Sequence, residues 1–205
     1  MVLRALAGEL SALGALALSA PFDLVLPRER FDPAAPHPTP VVFVHGLFGN
    51  PTNFLALRGV LGRSGIRNFA SFSYRPRLDY QQLAGHLGQY VERVCRETGA
   101  AEVDVVGHSL GGLIGRYLVE LGEGRRVRRL VTLGSPYYSD RRPERELAIF
   151  GSDDPIVRPP HQARGAVAVA QCGHWMLLYH LEVLRAVDRF LRLRPRVATP
   201  ARRAA

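Results

Sequence analysis

The sequence predicts a doubly wound α/β fold: a minimal, mostly parallel sheet of about six strands with helices on both faces. Three observations predict it. Six short apolar runs bounded by glycine or proline have the length and continuity of strands buried on both sides. The segments between them repeat their apolar residues every three or four positions, the period of an amphipathic helix. The serine, aspartate and histidine residues with chemical potential fall where such runs end, and ligand sites in open α/β sheets lie beyond the carboxyl ends of the strands.

Residues 1–26 are rich in leucine and alanine and are interrupted only by Arg4, Glu9 and Asp23. A basic start, the apolar stretch Leu10–Leu18 and small residues at Ala15–Ala17 suit a signal peptide, although Glu9 fits poorly. Leu10–Ala20 is about half the length of a membrane-spanning helix before Pro21 interrupts it. The third reading is a helix that packs on the domain or lies on a membrane surface. Residues 27–40 carry Pro27, Pro33, Pro36, Pro38 and Pro40, which exclude a helix or a central strand and leave an extended linker. A catalytic domain is expected over residues 41–194, followed by a flexible tail over 195–205.

The first run of that domain, Val41–Val44, ends in His45-Gly46-Leu47-Phe48-Gly49, a glycine-containing loop that leads to a helix. Phe69–Tyr74 is the second run, and Tyr80–Arg96, with Leu83, Leu87, Val91 and Val94, is a helix. Val103–Val106 is the third run. It passes into Gly107-His108-Ser109-Leu110-Gly111-Gly112, a G-x-S-x-G between a strand and the helix Leu110–Leu121. A serine on so tight a turn projects its hydroxyl above the sheet, and the Leu110 N–H at the helix start points to an oxyanion. Leu47 N–H, on the loop after the first run, is the candidate second oxyanion donor, and Gly46 keeps that loop open to substrate. His45 reads as a ring bonded to loop backbone, without a role in proton transfer.

Leu130–Leu133, Leu147–Phe150 and Val167–Ala170 complete the strands, and Leu177–Leu191 is the last helix. A serine nucleophile needs a base, and the base needs an orienting carboxylate. On a strand–serine–helix scaffold these follow in chain order on later loops. Two aspartates, Asp153 and Asp154, follow Leu147–Phe150. Asp154 is the better candidate because Pro155 stiffens the turn that would hold its carboxylate. His174, preceded by Gly173 between the last strand and the last helix, is the candidate base. His161, His180 and His108 sit in less suitable contexts, and His108 is read as positional.

The chain has 205 residues, enough for one domain. It is 47% hydrophobic and 22% charged, which excludes intrinsic disorder. The net charge is +9, carried wholly by arginine because lysine is absent. The arginines are scattered and not interleaved with aromatic residues, so no nucleic-acid partner is expected. Cys95 and Cys172 provide neither a disulfide framework nor a zinc site, and no metal or cofactor is called for.

Together, V-H-G-L-F-G, G-H-S-L-G-G, V-T-L-G-S-P at 131–136, S-D-D-P-I-V and C-G-H-W resemble the α/β-hydrolase superfamily, and within it the small lid-less bacterial lipases and esterases, over about Pro40 to Leu193. The resemblance implies an α/β-hydrolase fold, with Ser109 as nucleophile, Asp154 as acid, His174 as base and an oxyanion hole of Leu47 and Leu110. It implies a carboxylic ester hydrolase acting on lipid or medium-chain acyl esters, membrane-associated or secreted, with possible surface contact through residues 1–26. The alternatives are an acyltransferase or thioesterase with the same triad, or a catalytically idle binding module. About ten residues separate Pro136 from Leu147, too few for a cap domain. An open cleft rimmed by Leu47, Phe48, Tyr137 and Tyr138 is therefore expected.

Overall fold

In the computed structural model of the protein, residues 2–25, 27–74, 79–137, 145–158 and 165–193 are described, with backbone alone for 2–5. The strand β1 (Val41–Val44) shows how the sheet is covered. Its side chains alternate between faces, as a period of two requires. Val41 and Phe43 pack with α2 (Leu55–Arg63) and α5 (Leu181–Arg192), while Val42 and Val44 pack with α3 (Tyr80–Thr98) and α4 (Leu110–Glu120). Both faces are therefore apolar, which is why this run shows no polar alternation in the sequence.

The remaining strands are β2 (Phe69–Phe72), β3 (Val103–His108), β4 (Val127–Leu133), β5 (Glu146–Gly151) and β6 (Val167–Val169). Their order across the sheet is β2-β1-β3-β4-β5-β6, and every pairing is parallel. With helices on both faces, this is the expected doubly wound sheet. β1 and β3 are adjacent, so the loop after β1 and the turn after β3 emerge side by side.

Two expected elements differ in extent. The last helix is divided: Met176–Leu178 forms a 3-10 turn, and α5 starts only after His180, which holds an extended ψ of 124°. The proline-rich segment runs along the edge of β2. Arg30 and Phe69 exchange both backbone hydrogen bonds at 2.8 Å, and Glu29 accepts from Tyr90 Oη at 2.8 Å and is ion-paired with Arg93. Residues 195–205 lie outside the described residues.

At the amino end, α1 (Val2–Ser19) is docked on the domain. Ala12 is buried and Leu16 packs against the core cluster that contains α5. No described helix is long and apolar enough to cross a membrane. The connection from β4 to β5 is too short for a cap domain, although Tyr138–Glu144 within it lie outside the described residues.

Candidate active site

The turn from β3 into α4 is built by close approach of backbone. A Cβ on Gly111 would fall inside the Val44 carbonyl at the end of β1, and one on Gly107 would overlap the backbone of Gly112. Only glycine permits that packing, which wraps the chain tightly around the residue between them. Ser109 adopts φ 53° and ψ −121°, a conformation costly for any residue with a side chain. Leu110 is the first residue of α4, so its N–H has no partner within the helix.

β5 ends in the loop that carries Asp154. Its Oδ1 accepts from the N–H groups of Ile156 and Val157, both at 2.8 Å, which fixes the carboxylate. Its Oδ2 accepts from His174 Nδ1 at 2.7 Å. Both side chains are buried. With the proton on Nδ1, the lone pair of His174 is on Nε2. Asp153 is half-buried and turned aside, accepting from Ser152 Oγ at 2.7 Å. Gly134, at φ +56°, lies under the pair. A Cβ there would stand 3.2 Å from both Asp154 Oδ2 and His174 Nδ1.

His108, next to Ser109 in the chain, braces the loop of His174. Its Nε2–H donates to the carbonyl of His174 at 3.1 Å, and since a carbonyl only accepts, the ring carries its proton there. Burial, and secondarily the neighbouring His174, push its pKa down to about 3. His45 is stacked on Tyr74, with ring centroids 4.8 Å apart, and its Nδ1–H donates to Gly46 O at 2.9 Å, the backbone role expected for it. Desolvation lowers its pKa.

A cavity of about 490 Å³ opens at these groups. Gly46, Leu47 and Phe48 line it beside Ser109, His108 and His174. Among the described residues, non-glycine positions with positive φ are Phe48, Ser109 and Gln171. One lies on each of the loops carrying Leu47, the serine and His174.

The sequence profile of the palmitoyl protein thioesterase family matches residues 40–161, more than half of the chain. The chain belongs to that family. This family member is also 31% identical over 106 residues to a triacylglycerol lipase of Pseudarthrobacter phenanthrenivorans, an alignment covering 48% of this chain and 33% of the lipase. The chain thus spans about a third of the curated relative it matches. Among solved structures, it resembles a Bacillus licheniformis lipase in its mature form, with TM-score 0.61 and 16% identity over 81% of this chain and 96% of the other. An α/β hydrolase from a lagoon-sediment metagenome gives TM-score 0.55 and 20% identity over 74% and 90%. These neighbours establish the α/β-hydrolase fold of the family member.

Neither tyrosine expected at the rim is among the described residues that line the cavity. The Tyr137 ring lies 3.6 Å from the guanidinium carbon of buried Arg116 and 5.9 Å from Phe150. Tyr138 lies outside the described residues. The cavity is also lined by Ile156, Trp175 and, unexpectedly, by Leu13, Leu16 and Ala17 of α1 and Ala20 just beyond it. Glu9 was also unforeseen in this role. It is buried and accepts from the N–H of Trp175 at 3.2 Å and of Met176 at 2.8 Å, immediately after His174. A lone acid in an otherwise apolar helical run was the signal available for it. Cys172 is buried, and desolvation with nearby carboxylates pushes its thiol up to about 12, which excludes a thiolate at neutral pH.

Proposed function

We propose that this chain is a serine hydrolase of carboxylic esters, acting on lipid or medium-chain acyl esters through an acyl-enzyme. The observation that carries the reading is Ser109, held at positive φ where the sheet ends, sharing one cavity with a histidine whose Nδ1 is bonded to a buried, doubly N–H-bound aspartate. His174 Nε2 takes the Ser109 proton as Oγ attacks the acyl carbonyl. Leu47 and Leu110 N–H hold the oxyanion, and Asp154 stabilises the imidazolium. The tetrahedral intermediate then expels the alcohol, which leaves with the proton from His174. Water, deprotonated by the same nitrogen, attacks the acyl-serine and releases the acid. The reaction calls on no metal or organic cofactor.

The test is Ser109→Ala against p-nitrophenyl butyrate. kcat should fall by ~10³-fold or more with the circular dichroism spectrum unchanged, because members of such a triad act as a unit. Substantial hydrolysis by the folded variant would remove Ser109 as nucleophile.

A second reading has its own support in the family match: the substrate is an acyl thioester. The same groups serve, with a thiol leaving in place of an alcohol. Comparing kcat/KM for the oxygen and sulfur esters of one acyl group decides between them.

A further inference from the structure

We propose that α1 is the acyl-chain wall of this site, with its Leu13, Leu16 and Ala17, and Ala20 just beyond its end, holding the alkyl part of the substrate beside Ile156 and Trp175. The inference rests on the acyl-hydrolase reading and extends it to a segment outside the matched residues 40–161.

Three observations converge on it. The first is where the helix is held. Glu9 spends its whole carboxylate on the two amides that follow His174, so α1 is fastened to the strand of chain that carries the base. Gly173 makes the approach possible, since a Cβ there would collide with the Glu9 carboxyl group. At the other end of α1, Thr52 Oγ1 donates to Ser19 Oγ at 3.3 Å, which ties it to the turn after the Leu47 loop. The helix therefore bridges the two loops that flank Ser109.

The second is which face it presents. Positions 9, 12 and 16 form the stripe turned to the domain, and Glu9 and Ala12 are buried there. Leu16, shared with that stripe, lines the cavity together with Leu13 and Ala17 on the adjoining flank of the helix and Ala20 just beyond its end. All four are apolar, and none adds a polar atom beyond its backbone. Residues that shape a water-filled polar pocket have another composition; these suit an alkyl chain.

The third is continuity. Leu6 and Leu10, both exposed, extend the Leu13–Ala17 stripe along the helix at spacings of four, three and four. An apolar stripe thus continues along α1 beyond the residues that line the cavity.

The test uses the intact protein and two readouts. Trp175 is the single tryptophan and lines the cavity, so its fluorescence reports occupancy without catalysis. A bromine-labelled undecanoate should quench it saturably. Ala17→Phe and Leu13→Gln should each weaken that quenching about tenfold, the effect of losing roughly two buried methylenes. The ratio of kcat/KM for p-nitrophenyl dodecanoate to that for the butyrate should fall by a similar factor. Ala17 is exposed and Leu13 is 39% exposed, so neither change removes a core side chain, and thermal unfolding checks this. Butyrate hydrolysis by the wild type with no quenching, or with quenching equal in all three proteins, overturns the acyl wall while the hydrolase reading stands. Saturable quenching weakened by both substitutions, in a protein that hydrolyses neither ester, supports the wall and overturns the hydrolase reading.

Discussion

Phe48, Ser109 and Gln171 hold backbone conformations that cost roughly a kilocalorie per mole or more each, and they fall on the three loops that assemble one cavity. At this scale the two adjacent aspartates separate cleanly. Asp154→Ala should lower kcat far more than Asp153→Ala, because only Asp154 reaches His174. Steady-state kinetics of the two variants check the register of the loop. His108 supplies a pH dependence of stability. Its folded pKa is depressed to about 3, below the ordinary 6.5, so the unfolded chain binds a proton that the folded chain refuses. Stability is therefore undiminished above about pH 6.5 and falls by up to ~1.4 kcal/mol per unit as pH drops towards 3. Urea unfolding of His108→Gln, which keeps a donor near the Nε2 position, should show a shallower acid limb than wild type. That Ser109, Asp154 and His174 stand on loops at the strand ends was legible in the sequence, because each sits in a short motif whose neighbours act locally. Gly111 admits a strand end, and Pro155 stiffens the turn after the acid. The places of Glu9 beside the His174 loop and of Tyr137 against Arg116 were not legible, because partners distant in the chain decide them.

At the scale of elements, a buried arginine ties α4 to the end of the sheet. Arg116 Nε donates to Glu146 Oε1 at 2.8 Å, Nη2 donates to Thr132 Oγ1 at 2.8 Å, and Nη1 reaches the carbonyls of Ser135 and Pro136. The planar fork serves helix, strand and loop together, and an ammonium cannot. Arg116→Lys should destabilise the protein by about 3 kcal/mol in urea unfolding despite keeping the charge. A loss under 1 kcal/mol would show that the charge alone matters. The strands were predictable as a class because both faces of each are apolar, but their ends were not. β4 begins at Val127, three residues before the apolar run, because Arg128 and Arg129 have tertiary partners: Arg128 pairs with Asp104, and both arginines donate to the Leu191 carbonyl near the end of α5. The division of the last helix at His180 was likewise hidden, since the residues on both sides keep helical spacing.

Across the whole molecule, arginine does more inside than its net charge suggests. Arg93, Arg116 and Arg128 each hold carboxylates of this same chain, which accounts for part of a basic composition without an acidic partner. Arg93 holds Glu29 below its usual pKa through their hydrogen bond, and with Tyr90 it clamps the proline-rich segment to the sheet edge. Glu29→Gln should loosen that strap. Hydrogen exchange should accelerate at the Arg30 and Phe69 amides and leave β3 and β4 protected. Equal acceleration in all strands would mean that the strap is integral to the cooperative core.

The clasp between Glu9 and the amides of Trp175 and Met176 joins positions 166 and 167 residues apart. During synthesis α1 emerges before the sheet, yet the surface it docks on does not exist until the chain beyond β6 has been made. The nucleophile turn and its flanking strands can form in the interval, while the helix waits with its leucines in water or on whatever apolar surface the cell offers. Contacts of such long sequence separation also form late in folding, because the chain entropy they close is large. Enzymatic competence should therefore lag the appearance of secondary structure during refolding, and the interval between the two is the time α1 takes to find the loop of His174.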